Sequence, residues 1–259
     1  MLRFIMRSRI LSIYIILVHV FLHLVLLKSD FLDRVEPKFK IWQCQISEEQ
    51  KFSEYYQRKA KIIERMDAIM ASGTVVFIGD SIMESVFTGA VFVPSMNYSI
   101  GGDTTVGVLR RLSKYRSFPR ASVVVLAIGI NDMGMGRDNA SIIENYDRIL
   151  KEIPRGPAIV LSAVLPVDER LLLKPHITNE RIKSLNRKLE ILCINDARCV
   201  FVNAGPWLSD KKGFLSNEFY ESNGLYLNPK GNENLIIQLR IAVNQAQQIR
   251  RASQRPDRR

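Results

Sequence analysis

The sequence predicts a three-layer α/β/α domain with a mainly parallel, five-stranded sheet, preceded by one N-terminal transmembrane helix. Five short apolar segments rich in β-branched residues alternate with stretches of helical periodicity. Near-continuous apolar strands of this kind are typical of a parallel sheet that is covered on both faces. The 259 residues are 47% hydrophobic, which is enough apolar material for one such core. A separate uncharged segment near the amino terminus is long enough to span a bilayer.

The strands and helices of the domain follow from these patterns. The predicted strands occupy residues 74–78, 95–98, 122–128, 158–165 and 199–203. The predicted helices after the second strand occupy residues 104–114, 139–153, 178–195 and 229–249, with apolar side chains at three- and four-residue spacing. Asn228 is the expected N-cap of the last helix, because Pro229 suits the first helical position.

One more helix is predicted before the first strand. Ser47 followed by Gln50 forms a capping box, which opens a helix. The predicted apolar stripe of this helix consists of Phe52, Tyr55, Ile62, Met66 and Ile69. The domain is therefore expected to run from residue 47 to residue 250.

The apolar segment at residues 10–27 predicts an uncleaved signal anchor. Its eighteen residues carry no formal charge, and no small-residue cleavage site follows them. Three arginines precede it in the stub at residues 1–9, so the positive-inside rule places the amino terminus in the cytoplasm. The linker at residues 28–46 and the main domain are then expected on the extracytoplasmic side, which is periplasmic, extracellular or lumenal.

The excess positive charge belongs to the two ends of the chain. Of a net charge of +11, residues 1–28 carry +4 and residues 237–259 carry +5, which leaves +2 for the middle. This excludes a nucleic-acid-binding domain, because the middle lacks a basic surplus to contact phosphates. The tail at residues 251–259 is predicted to be disordered, and it is either solvated or lies against anionic lipid.

The three cysteines are consistent with a domain on the extracytoplasmic side of the membrane, but the sequence leaves their pairing open. Cys193 and Cys199 lie where a predicted helix ends and a strand begins, so they either form a disulfide in an oxidising compartment or stay reduced. Cys44 would remain unpaired. No spacing of cysteines or histidines predicts a zinc site.

Three loops at the expected carboxyl ends of the strands carry residue types suited to chemistry. Gly79-Asp80-Ser81 allows a tight turn and places a serine hydroxyl at a helix amino terminus. The loop at residues 100–105 contains paired glycines, whose backbone N–H groups can approach a ligand closely. Asn131 follows the third strand and offers an amide donor that does not titrate. Each motif alone is also explained by turn chemistry.

Together and in this order, the motifs resemble the SGNH hydrolase family, also called GDSL esterases and lipases. The resemblance covers residues 75–231 and includes FIGDSIMES (77–85), NYSIGGDTT (97–105), AIGINDM (127–133) and SNGLYLNPKGNENL (222–235). It implies that Ser81 is the nucleophile and that the N–H groups of Ser81 and Gly102 and the amide of Asn131 form the oxyanion hole. It also implies hydrolysis of acyl esters, lysophospholipids or O-acetylated glycans, without a metal or an organic cofactor.

The last block departs from the family pattern, which has an aspartate and, three residues later, a histidine. This chain has Asn223 and Tyr226 at those positions. Asparagine cannot carry the charge that stabilises an imidazolium, and a phenol is a poor acceptor for the serine proton at neutral pH. Two hypotheses follow: a hydrolase with weak or rearranged chemistry, or an inactive binding or scaffold module for an acylated lipid or glycan.

Four other titratable side chains are expected near this site. His176 is the only histidine outside the apolar segment, and its loop should lie on the same rim of the sheet, so it is either a displaced base or an ordinary loop residue. Asp80, Asp103 and Asp132 are expected to serve as turn and helix-cap residues.

Overall fold

The computed structural model describes residues 53–253, and in this part of the chain the predicted three-layer fold is confirmed. Five parallel strands form one sheet in the order β2-β1-β3-β4-β5. The strands are β1 (Val75–Gly79), β2 (Ser95–Asn97), β3 (Val123–Ala127), β4 (Ala158–Ser162) and β5 (Cys199–Val202). In register, Phe77 lies opposite Val125, and Val125 lies opposite Val160.

Helices precede, connect and follow these strands. They are α1 (Glu54–Ala68), α2 (Ser81–Glu84), α3 (Thr105–Leu112), α4 (Ile130–Gly134), α5 (Asn139–Glu152), α6 (Asn179–Ile194), α7 (Gly205–Leu208) and α8 (Pro229–Ser253). Short 3₁₀ turns occur at Thr88–Ala90 and Phe118–Arg120.

Both faces of the sheet are covered by helices. Helix α8 packs on β3, β4 and β5, and its buried Leu239 and Val243 share a core cluster with Val123. Val124 points to the opposite face, because side chains alternate along a strand, and it is also fully buried. Helices α3, α5 and α6 pack side by side to form the other outer layer.

Helix α1 buries a different face from the predicted one. Ile69 is 79% exposed, and Tyr55 and Ile62 are also exposed, whereas Tyr56 and Ile63 are buried. The face that is actually buried also contains a carboxylate, Asp67, which accepts hydrogen bonds from the segment before β3. The apolar pattern therefore indicated the wrong face. The predicted capping box at residues 47–50 lies outside the described residues.

Helix α8 begins as predicted and continues further. Pro229 is its first residue, and the Gly231 N–H donates to the Asn228 side-chain oxygen at 3.0 Å. The helix runs to Ser253, so residues 251–253 of the predicted tail are helical. The rest of that tail lies outside the described residues.

The cysteine alternatives are resolved in favour of a disulfide. Cys193 of α6 and Cys199 at the start of β5 are bonded, with their Cα atoms 5.3 Å apart. Cys44, the apolar segment at residues 10–27 and the linker lie outside the described residues. Between residues 53 and 253, none of the helices has the length and apolar character needed to cross a bilayer.

The sheet order locates the place where a ligand can bind. The chain moves from β1 to β2 on one side and then to β3 on the other side of β1. In open α/β sheets the ligand crevice lies beyond the carboxyl ends of the strands at such a reversal. The segments that begin at Gly79 and at Gly129 both leave the sheet at this point.

Candidate active site

Ser81 occupies a sharp turn between β1 and α2. A Cβ atom on Gly79 would lie 2.4 Å from the Ala127 carbonyl oxygen, so only glycine permits this close approach of β1 to β3. The Asp80 carboxylate caps α2 by accepting a hydrogen bond from the Ile82 N–H at 3.0 Å. Ser81 is the first residue of the helix, where backbone N–H groups lack intrahelical partners.

Asp80 is buried beside a small pocket. Burial raises the pKa of its carboxyl group to about 7, although the hydrogen bond from Ile82 opposes this. The pocket has a volume of about 350 Å³ including its open part, and apart from Asp80 and Ser162 its lining is mainly apolar. It includes both sequence neighbours of Ser81 and extends to Leu235 of α8.

The paired glycines form a tight turn after β2. The Asp103 N–H donates to the Ile100 carbonyl at 3.1 Å, and Gly102 has φ +77°, which a type II turn requires at its third residue. The backbone passes close to the nucleophile, since a Cβ atom on Gly101 would lie 3.7 Å from the Ser81 Cβ. Among residues 53–253, no acceptor takes the Gly102 N–H.

Asn131, at the start of α4, is bonded to the same turn. Its side-chain amide donates to the Asp103 carbonyl at 3.0 Å, which uses one of its two amide hydrogens. The structure therefore brings Ser81, Gly102 and Asn131 together on three adjacent loops. These neighbouring loops therefore carry a serine hydroxyl, a backbone N–H group and a side-chain amide.

Of the three aspartates expected to be turn and helix-cap residues, Asp80 is a helix cap as predicted. The other two, Asp132 and Asp103, are buried and support these loops through other side chains. Asp132 instead accepts hydrogen bonds from the backbone and hydroxyl of Thr105, at 2.9 and 2.6 Å, and from Arg137. It thereby ties α4 to the amino terminus of α3.

The other carboxylate, Asp103, forms a buried ion pair with Arg111 of α3, at 2.8–2.9 Å. Burial alone would lower the pKa of Arg111, but the Asp103 carboxylate outweighs it and raises that pKa above its ordinary value. The spacing of residues in the sequence does not predict that Asp132 bonds to Thr105 or that Asp103 pairs with Arg111, because the partners lie on different elements or turns.

The Asn223 side chain bonds to its own loop, and the Tyr226 side chain is partly exposed. The Asn223 oxygen accepts the N–H groups of Leu225 and Tyr226, each at 3.1 Å, and so closes its own loop. Tyr226 is 40% exposed. No hydrogen bond joins either side chain to Ser81, and within residues 53–253 the Ser81 hydroxyl has no hydrogen-bond partner.

His176 lies on the loop between β4 and α6 and is exposed. Its ring lies 3.7 Å from the position that a Cβ on Gly136 would occupy, and its carbonyl accepts a hydrogen bond from Arg181. Within the described residues no hydrogen bond joins it to Ser81. The structure therefore does not group His176 with the serine.

A comparison with models of protein families shows to which family the chain belongs. The model of the GDSL-like lipase/acylhydrolase family matches residues 77–233, which is more than half of the sequence. The chain belongs to the GDSL-like lipase/acylhydrolase family. This confirms the resemblance seen in the sequence and places the chain in the ester-hydrolase class.

Solved structures share the fold of this family member. A protein from Streptococcus pneumonia is 24% identical, with a TM-score of 0.68 over 78% of this chain and 98% of that one. A GDSL-like lipase from Bacteroides thetaiotaomicron is 20% identical, with a TM-score of 0.59 over 74% and 98%. A lipase/acylhydrolase from Enterococcus faecalis is 22% identical, with a TM-score of 0.58 over 67% and 96%. No curated protein matches the sequence.

Sequence reasoning missed one group that borders the GDSL serine. Glu84, Tyr55 and Lys59 meet next to the glycine turn. The signal that could have found Glu84 is its spacing, because residues three apart on a helix share a face and Glu84 is three residues after Ser81.

Proposed function

We propose that the chain is a membrane-anchored hydrolase-like protein of the ester-hydrolase class, with Ser81 as nucleophile and weak turnover because its base is missing. The observation that carries this proposal is the grouping of Ser81 with free donors on Gly102 and Asn131. A serine hydroxyl beside unoccupied N–H groups suits attack on an ester carbonyl.

The donors are suited to stabilise the oxyanion that forms in such an attack. In our proposal the N–H groups of Ser81 and Gly102 and the second amide hydrogen of Asn131 point to the developing charge. Preorganised donors of this kind typically contribute about 10²–10³ in rate each. Asp132 and Asp103 support them indirectly, because they hold the loops that carry Asn131 and Gly102.

We expect turnover to be slow because of the step in which the Ser81 hydroxyl gives up its proton. A general base must be within hydrogen-bond reach of the serine proton, and Asn223 and Tyr226 occupy the positions where the family has its aspartate and histidine. In serine proteases, loss of triad members costs on the order of 10⁴–10⁶ in turnover, while oxyanion hole and binding retain about 10³–10⁴ over water. We therefore propose slow, Ser81-dependent hydrolysis.

The proposed substrates are acyl esters, lysophospholipids or O-acetylated glycans on the extracytoplasmic side. Two features support that location. Residues 10–27 form an uncharged apolar segment preceded by arginines, and the Cys193–Cys199 disulfide is typical of oxidising compartments.

The test is hydrolysis of a short-chain aryl ester by the full-length chain in detergent micelles, beside Ser81→Ala. Ser85→Ala is the matched control, because Ser85 is the C-cap of the same short helix, is exposed, and within residues 53–253 its hydroxyl bonds to the Ile82 carbonyl alone. A rate that falls to background in Ser81→Ala but not in Ser85→Ala supports the proposal. Equal rates in all three proteins would overturn it.

The second candidate function is an inactive binding or scaffold module for an acylated lipid or glycan. The observations that favour it are that Asn223 bonds to its own loop and that, within residues 53–253, no side chain accepts a hydrogen bond from the Ser81 hydroxyl. If all three proteins hydrolyse equally, this candidate predicts that wild type still binds a non-hydrolysable ester analogue, and that Asn131→Leu weakens that binding.

A further inference from the structure

The glycine turn is held from one side by the carboxylate of Glu84. The Gly101 N–H donates to Glu84 Oε2 at 2.7 Å, a charge-assisted hydrogen bond. A Cβ atom on Gly101 would lie 3.0 Å from the same oxygen and 3.7 Å from the Ser81 Cβ. The bond therefore fixes the first peptide of the turn directly beside the serine.

The second oxygen of Glu84 is bound by helix α1. Tyr55 donates its hydroxyl hydrogen to Glu84 Oε1 at 2.5 Å, and Lys59 Nζ lies 2.7 Å from the same atom. The side chains of Lys59 and Glu84 are about one-third and one-fifth exposed, so solvent screens this pair only in part. One carboxylate thus connects a helix from outside the catalytic motifs to the turn that carries Gly102.

The protonation states of the group suit this connection. Burial opposes ionisation of Glu84, but the hydrogen bonds from Lys59 and Tyr55 outweigh it, so the pKa of the carboxyl group lies below its usual value. The hydrogen bond to Glu84 raises the pKa of Tyr55 to about 12. At neutral pH the phenol keeps its proton and Glu84 keeps its charge.

The turn needs such support because both of its central residues are glycines. Glycine populates both halves of the φ range readily, so a double-glycine turn has more alternative conformations than other turns. An oxyanion donor is effective only where its position is fixed before the charge develops. A displacement of about 1 Å costs on the order of 10²-fold in rate.

We propose that Glu84, held by Tyr55 and Lys59 of α1, is a positioning residue that fixes the Gly101–Gly102 turn against Ser81. The inference rests on the proposed role of Gly102 as an oxyanion donor. It makes helix α1 part of the framework of the active site, although no family motif extends to that helix. Loss of a purely stabilising ion pair would lower the melting temperature without changing the turn or kcat.

The experiment compares Glu84→Ala and Tyr55→Phe with Glu54→Gln in the full-length chain. Glu54→Gln is the control, because Glu54 is 86% exposed on α1, the helix of Tyr55, and among residues 53–253 its carboxylate pairs with Arg58 alone. We expect Glu84→Ala to lower kcat for the aryl ester about 10- to 100-fold with KM changed less than about twofold. Tyr55→Phe should lower kcat less, and should add nothing in the Glu84→Ala background.

Amide hydrogen exchange of a peptide spanning residues 99–104 provides a readout that does not need turnover. Exchange should be at least about tenfold faster in Glu84→Ala and unchanged in Glu54→Gln. Unchanged kcat and unchanged exchange in Glu84→Ala would overturn the inference. So would a loss of activity that Glu84→Gln, which keeps an acceptor for Gly101, does not partly restore.

The outcomes separate this inference from the proposed function. If no Ser81-dependent hydrolysis occurs, the proposed function fails, and the exchange rates alone decide whether Glu84 holds the turn. If hydrolysis occurs but Glu84→Ala leaves kcat and exchange unchanged, the proposed function stands and the positioning role fails.

Discussion

At the scale of single residues, our proposal assigns Asn223 and Tyr226 to the positions of the family's aspartate and histidine, so that an amide replaces a carboxylate and a phenol replaces an imidazole. If the site once worked by the family's mechanism, the double substitution Asn223→Asp with Tyr226→His should create Ser81-dependent ester hydrolysis. We expect a gain of at least about 10²-fold over wild type, since the missing dyad is worth up to about 10⁴–10⁶.

The measurement is the initial rate of aryl ester hydrolysis by the double variant, with and without Ser81→Ala. Each single substitution serves as a further control, because an aspartate without a histidine has no base to orient. An inert double variant that retains the wild-type melting temperature would mean that the pocket has diverged beyond these two positions.

The buried carboxyl group of Asp80 makes stability depend on pH. Its pKa is about 7 in the folded chain, against about 3.9 for an unfolded aspartate. Between these values the folded state binds more protons, so this group's contribution to the free energy of unfolding falls as pH rises. Asp80→Asn keeps an acceptor for Ile82 and removes the titration.

Urea unfolding between pH 4 and pH 8 tests this. The free energy of unfolding of Asp80→Asn should rise relative to wild type with increasing pH, by up to about 1.4 kcal/mol per pH unit, and level off above pH 7. Asp103 and Asp132 contribute to the raised pKa of Asp80 by charge repulsion, so the difference between the two proteins reports the titration of Asp80 together with this coupling. Parallel curves for the two proteins would show that Asp80 does not titrate in this range.

His176 provides a test of a displaced base. Because its ring lies against Gly136 and no hydrogen bond joins it to Ser81, His176→Ala should leave the rate of ester hydrolysis within about twofold. The rate is best measured from pH 5 to pH 9, where a catalytic imidazole would leave a titration step. A drop of a hundredfold or more would establish His176 as the base.

Some residues of the candidate site could be predicted from the sequence, and others could not. Ser81, Gly102 and Asn131 follow from local motifs, because each occupies a turn whose shape depends on neighbouring residues. Glu84 is three residues after Ser81, but its contacts with Tyr55 and Lys59 could not be predicted, since they join segments that are adjacent only after α1 packs beside α2 and α3. The ion pair of Asp103 with Arg111 depends likewise on burial, which spacing does not reveal.

At the scale of elements, helix α8 supplies much of one outer layer. Leu239 is fully buried against the sheet, so Leu239→Ala should lower the free energy of unfolding by about 2–5 kcal/mol. Ile237 lies on the same helix but is 42% exposed. Ile237→Ala is therefore the matched control, with an expected change of about 0.5 kcal/mol or less.

Chemical unfolding monitored by circular dichroism measures both variants. Equal losses for Leu239→Ala and Ile237→Ala would contradict the packing of α8 against β3, β4 and β5.

The contrast between α8 and α1 shows what periodicity can establish. Apolar side chains at helical spacing indicated the existence of both helices, but a count of apolar residues does not show that the buried face of α1 includes the carboxylate of Asp67.

At the scale of the whole molecule, the disulfide supports the proposed extracytoplasmic location independently of the amino-terminal segment. The bridge closes a loop of only six residues' separation, so its loss should cost about 2 kcal/mol in the chain-entropy account. Replacing both Cys193 and Cys199 by serine should therefore lower the melting temperature without abolishing the fold. A variant with unchanged stability would mean that the bridge is not formed in the native protein.

The orientation across the membrane gives the last prediction. If residues 10–27 span the bilayer with the arginine-rich stub in the cytoplasm, an impermeant amine-reactive reagent applied to intact cells or sealed vesicles of native orientation should modify the exposed Lys174. Lys174 modification should reach the same extent after the membrane is permeabilised, whereas a cytoplasmic control protein should react only then. Non-reducing peptide mapping of the same sample should recover Cys193 and Cys199 in one linked peptide pair. Modification of Lys174 only after permeabilisation would reverse the topology, and it would place a disulfide-bonded domain in a reducing compartment, where such bonds rarely persist.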